Sequence, residues 1–169
     1  MIFGLDLGTR RLALACPDAN WVYEKNLENA AGKRDYPSEE MAGIGLGLAT
    51  AEALGETFGF TGHEFFFERP IVGRPHGNMK TAIGQGLSAG AVLAHLPGRL
   101  HQISHPSLWK KDICGNGNAG KDDIRAWLEA TQPALAALCG ASQDLIDATC
   151  IALYGGTVVA SVGGLPGAR

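Results

Sequence analysis

Apolar and polar residues fall into short blocks along the chain, and the blocks predict three strands, a helix, a strand, a helix, a strand and then mostly helix. Residues 1–7, 12–16 and 21–23 are brief apolar runs divided by turn formers, and they read as three antiparallel strands. Gly8-Thr9 turns the chain after the first, and Pro17-Asp18-Ala19-Asn20 is a hairpin turn before the third. Residues 26–37 are polar, contain Gly32 and Pro37, and read as an exposed loop. Ser38, followed by Glu39 and Glu40, starts a helix, because an N-cap oxygen and first-turn acids meet unpaired amides. Met41, Ile44, Leu48, Ala51, Leu54 and Phe58 then recur at helical spacing. Gly43, Gly45 and Gly47 oppose that helix by about 1 kcal/mol each relative to alanine in an exposed site. Close packing on a neighbouring helix or sheet is the expected compensation.

Residues 63–68 hold three consecutive phenylalanines, which suits a strand covered on both faces. Arg69-Pro70 ends it, and residues 72–78 read as a loop. Residues 80–96 predict a helix with Ile83, Leu87, Val92 and Leu96 apolar, stopped by Pro97-Gly98. Residues 100–103 give a short strand, and residues 106–113 a short helix with Pro106 in its first turn. A glycine-rich polar stretch, 114–120, leads to a helix over 121–138 with Pro133 as its break point. Ser142 caps a last helix over 143–160, whose end Gly155-Gly156 leaves open. The fold class is therefore α/β: one domain over residues 1–160, a mixed central sheet with antiparallel N-terminal strands and helices on both faces, then a flexible C-terminal tail over 161–169.

The 169 residues allow one domain with a substantial core. The net charge of −3 speaks against a uniformly basic nucleic-acid binder, although acids gathered around cations would account for the excess. Cys16, Cys114, Cys139 and Cys150 form no CxxC pair and are expected to be reduced. Asp6 and Arg10-Arg11 interrupt the apolar opening, so no signal peptide is read. No run approaches 18 uninterrupted apolar residues, so no membrane span is expected, and the chain reads as soluble and cytoplasmic.

Four carboxylates stand out against this pattern. Asp6 lies inside an apolar strand, where an ionised acid is costly unless it is paired, bonded to turn amides or bound to metal. Glu68 follows Phe65-Phe66-Phe67 at the end of a core strand. It can pair with Arg69, start a helix, or serve a site of the kind that collects at strand ends. Asp144 and Asp147, three apart, share one face near the start of the last helix. Asp144 also suits the helix dipole, and Asp147 also suits a solvated face. Taken together, the four offer oxygen ligands and charge to hard divalent cations, magnesium or manganese, and two such ions can activate a water and stabilise a phosphodiester leaving group.

Several motifs occur in order: Gly4-Leu5-Asp6-Leu7-Gly8-Thr9, Phe67-Glu68-Arg69-Pro70, Gly84-Gln85-Gly86, Pro106 through Lys110 to Gly115, Gly117-Asn118-Ala119-Gly120-Lys121, and Asp144-Leu145-Ile146-Asp147-Ala148. In this set the chain resembles the RuvC-type Holliday-junction resolvases of the ribonuclease-H-like superfamily. The resemblance implies a ribonuclease-H-like fold and a magnesium-dependent endonuclease that resolves four-way DNA junctions by paired cuts. It implies Asp6, Glu68, Asp144 and Asp147 as catalytic metal ligands, with two ions per active site. It further implies Lys110 and Lys121 as basic catalytic positions, and a homodimer with two sites. Lys110, Lys111 and Lys121 flank the glycine-rich stretch, and Arg69, Arg74, His76 and Lys80 form a second sparse basic group; each set reads either as a DNA-facing edge or as ordinary surface charge. Trp109 and Trp127 read as packed on helices.

Three other classes share parts of the pattern. RuvX-type nucleases that process ribosomal RNA open similarly, but are typically shorter and lack the Glu68 and Pro106-to-Lys121 context. Asp6-Leu7-Gly8-Thr9 also resembles the phosphate loop of ATP-binding phosphotransferases, which need a second related domain. A non-catalytic junction binder would keep the fold and lose the acids, all of which this chain retains.

Overall fold

The computed structural model describes residues 1–27, 38–68 and 79–163. Strands β1 (Ile2–Leu7), β2 (Arg11–Cys16) and β3 (Trp21–Asn26) form an antiparallel meander. Strands β4 (His63–Glu68) and β5 (Gly98–Ile103) extend the sheet on the other side of β1 with parallel pairing, giving the order β3-β2-β1-β4-β5. The helices are α1 (Glu39–Phe58), α2 (Met79–Leu93), α3 (Pro106–Cys114), α4 (Lys121–Thr131), α5 (Pro133–Cys139) and α6 (Gln143–Gly163). Parallel neighbours need crossovers, and α1 and α2 lie in the two that lead to β4 and β5.

Strand alternation sorts the core into two layers. Phe3, Leu5, Leu7, Leu12, Leu14, Phe65 and Phe67 pack with Ala42, Leu46 and Leu54 of α1 and with Ala89 and Val92 of α2. Ala13, Ala15, Phe66 and Ile103 pack on the opposite face with Trp109, Ile124, Leu128, Ile146, Ala148 and Ile151. The three phenylalanines thus serve both layers, as a doubly covered strand requires.

Local signals act where the sequence puts them. Ser38 Oγ accepts from the Met41 amide at 3.3 Å, and Ser142 Oγ from the Leu145 amide at 3.3 Å. Pro133 divides α4 from α5 at Gln132. The boundaries differ in places. β3 continues to Asn26, because its whole length pairs with β2, and Leu27 after it is buried. Pro17–Ala19 is a single 3-10 turn completed by Asn20 in the left-handed region. α2 ends at Leu93, before the expected stop, and α6 runs to Gly163, into the expected tail. Of the loop expected over residues 26–37, Asn26 belongs to β3 and residues 28–37 lie outside the described residues, as does the whole loop expected over 72–78.

The largest departure concerns α1. Of the expected row, Leu54 and Phe58 reach the core, but Met41, Ile44 and Leu48 face outward, at 46%, 38% and 56% exposure, while Ala42, Gly43, Leu46, Gly47 and Thr50 face inward. Helix α2 comes too close for the bulky row: a Cβ on Gly43 would lie 2.5 Å from the Ser88 carbonyl oxygen and 2.9 Å from the Ala91 Cβ. Gly43 and Gly47, the latter with His95 Nδ1 3.0 Å from the place of its Cβ, therefore receive the close packing expected of them.

Helix α6 crosses β1 at similarly short range. A Cβ on Gly4 would lie 2.0 Å from the Ala148 carbonyl oxygen and 2.4 Å from the Ala152 nitrogen. By length and composition Gln143–Ser161 is apolar enough to cross a bilayer, but here Ile146, Ala148, Cys150, Ile151 and Ala152 are buried within the protein.

Candidate metal and nucleic-acid site

The sheet's alternation decides where two of the acids go. Gly4 and Asp6 share the face of β1 that α6 covers, and Phe66 and Glu68 share the corresponding face of β4. Leu5 pairs in parallel register with Phe67, so one further step brings Asp6 alongside Glu68 at the same end of the sheet. The crossing at Gly4 sets Ala148 and Ala152 over β1. Asp147 immediately precedes Ala148 on α6, and Asp144 lies one turn back. Acids from three distant stretches thus meet at the C-terminal ends of β1 and β4.

Their electrostatics register the meeting. Burial, followed by the charges of Asp144, Asp147 and Glu68, pushes the Asp6 carboxyl up to about 7, against the opposing charge of Arg11. Glu68 is raised first by burial and also by Asp147, while a bond from Trp109 and the charge of Lys110 oppose the rise. Asp147 is raised by burial, opposed by a bond from Gln143 and by Lys110 and Lys121, and raised further by Asp144.

Three of the four acids are turned toward protein donors. The Trp109 indole N–H donates to Glu68 Oε1. Gln143 Nε2 donates to Asp147 Oδ1 at 2.9 Å, and Arg11 Nε lies 3.2 Å from Asp144 Oδ2. With the side chains so placed, no group of three or more His, Cys, Asp or Glu among the described residues is arranged to hold a metal ion. The donor set nevertheless fits a hard divalent cation: four carboxylates, partly buried and mutually repelling, gain from a cation that offsets their charge.

Lys110 Nζ donates to the Ala119 carbonyl at 3.0 Å and lies 5.6 Å from the Trp109 ring centre, which holds it beside Glu68 and Asp147. Lys121 opens α4, where the Gly120 amide donates to Asp123 Oδ2 at 2.9 Å, and its charge also reaches Asp147. Lys111 is exposed in the last turn of α3. Arg69, Arg74 and His76 lie outside the described residues, as does the side chain of Lys80.

Sequence reasoning missed several supporting residues. Gln143 stands four before Asp147, a helical spacing that could have revealed it. Trp109 is buried as expected, but its polar N–H also serves the site. Gln85 Nε2 donates to the Leu7 carbonyl at 3.3 Å and Ser88 Oγ to the Thr9 carbonyl at 2.8 Å, so α2 fixes the turn after Asp6. No local signal marks Arg11 as the partner of Asp144.

This mixed sheet, with helices on both faces, has the ribonuclease-H-like fold. Among solved structures, the chain is similar to Thermus thermophilus RuvC, with a TM-score of 0.59, 20% identity, and coverage of 96% of this chain and 97% of that one. It is also similar to T. thermophilus RuvC in complex with Holliday junction substrate, with a TM-score of 0.63, 19% identity, and the same 96% and 97% coverage. No protein-family model and no curated protein matches the sequence.

Proposed function

We propose that this protein is a divalent-metal-dependent endonuclease that resolves four-way DNA junctions by paired phosphodiester hydrolysis. The observation that carries this reading is the convergence of Asp6, Glu68, Asp144 and Asp147, where burial first and then the charges of the other three acids push the Asp6 carboxyl up to about 7. The likeness of fold to a RuvC recorded with a Holliday junction as substrate supports the choice of branched DNA. The four acids would hold magnesium, with manganese as a substitute and two ions per site. Bound there, the ions would polarise the scissile phosphate and lower the pKa of an attacking water. Turning the carboxylates from their present donors to the ions requires side-chain rotation, for which Trp109, Gln143 and Arg11 are the residues to release them.

Lys110 and Lys121, whose charges reach Asp147, would offset charge gathering on the phosphate oxygens. Lys111, Arg69, Arg74 and Lys80 complete the proposed DNA-contacting set. Paired cuts call for two sites, hence a homodimer. Its support is the apolar surface of Met41, Ile44 and Leu48 on α1 and Ile83 and Leu87 on α2, side chains of core type left outside.

The test is cleavage of a synthetic four-way junction with and without magnesium, beside linear duplex and RNA. Wild-type protein is expected to nick the junction in pairs only with the metal. Asp6→Asn is expected to abolish cutting while junction binding persists. Full activity of that variant in magnesium sinks the assignment.

A further inference from the structure

We propose that Arg11 is a built-in counter-cation of the acidic site, holding Asp144 in the metal-free protein and competing with a divalent ion for that carboxylate. The inference rests on the metal-site reading above. Arg11 opens β2, directly after the turn that follows Asp6. Gly8 offers no side chain to block it: a Cβ there would lie 2.9 Å from Arg11 Cγ and 3.7 Å from its Nε. The Arg11 chain therefore folds back over the turn and reaches across to α6, with Nε 3.2 Å from Asp144 Oδ2. Its charge is also felt at Asp6, so one guanidinium acts on two of the four acids.

The neighbouring donors differ in kind. Trp109 and Gln143 are neutral, and Lys110 gives its ammonium to the Ala119 carbonyl. Among the described residues, Arg11–Asp144 is the only ion pair made by these acids. The Asp144 side chain is 21% exposed and that of Arg11 62%, which places the guanidinium at the mouth of the site with solvent behind it. A long, hydrated side chain so placed can leave without unpacking anything. Two cations cannot share one carboxylate oxygen without repulsion, so occupation by a metal and occupation by Arg11 oppose each other. A ligand shifts such an equilibrium only by its differential affinity for the two states. Removing the guanidinium therefore favours the metal.

The experiment is calorimetric titration of Mn²⁺ into DNA-free wild-type protein and into Arg11→Gln, Asp6→Asn and Arg99→Gln, with thermal melting in EDTA and in Mn²⁺. Arg99 is a control for bulk charge, because it pairs with Glu64 at 3.8 Å toward the opposite end of the sheet. Arg11→Gln is expected to bind Mn²⁺ about three- to fivefold more tightly, the range a half-exposed ion pair can withhold. It is also expected to gain more melting temperature from Mn²⁺ than the wild type does. Arg99→Gln is expected to match the wild type. Unchanged or weaker binding by Arg11→Gln overturns the proposal, as does equal tightening by Arg99→Gln. Wild-type Mn²⁺ binding that is absent, or indifferent to Asp6→Asn, overturns the metal-site reading itself and this inference with it.

Discussion

Asp6 owes its altered chemistry first to burial and then to the acids around it, and both fix the same direction of a pH effect. Between the ordinary carboxyl value of 3.8 and about 7, the folded chain keeps a proton on Asp6 that the unfolded chain has lost. Stability therefore falls as pH rises through that window, and the raised Glu68 and Asp147 act with the same sign. The metal-free protein is expected to melt at a higher temperature at pH 5 than at pH 8, with Asp6→Asn flattening the slope. A level profile for the wild type in EDTA would contradict the repulsive cluster. Lys121→Ala is expected to slow junction cleavage about a hundredfold with melting unchanged, if it stabilises charge at the phosphate. An unchanged rate removes it from the site. At this scale the acids were legible because ionised groups inside apolar strands need a reason. Their donors were not: whether Arg11 reaches Asp144 depends on how a turn and a distant helix approach, which no local spacing encodes.

Elements hold the site through close approaches. Gly4→Ala is expected to cost about 1–3 kcal/mol in denaturant unfolding, because α6 must move off β1. Cleavage should fall as well, since the same displacement carries Asp144 and Asp147 away from Asp6; wild-type stability and rate would show that α6 does not depend on that contact. The order of elements was readable from blocks of strand-like and helix-like pattern, and the break at Pro133 from proline chemistry. The buried face of α1 was not readable. Counting apolar residues favours Met41, Ile44 and Leu48, whereas a closely packed helix pair favours the narrower row of Ala42, Gly43 and Gly47. Packing distance, not hydrophobicity, decided the orientation.

For the whole molecule, that same orientation leaves large apolar side chains on one side and the acids on the other layer of the sheet. Leu48→Glu is expected to convert the proposed homodimer to a monomer in light scattering at micromolar concentration, and to turn the proposed paired nicks into single ones. Wild-type protein that scatters as a monomer would refute the assembly. The crossing of α6 over β1 also has a temporal meaning. One partner in that contact is the opening strand and the other is the last helix described, so ribosomal synthesis delivers them far apart in time. A nascent chain that stops short of α6 has Asp6 and Glu68 but nothing to complete them, and the Gly4 groove stays uncovered. Until α6 emerges, the four acids cannot assemble, so the proposed nuclease would stay inactive on the ribosome.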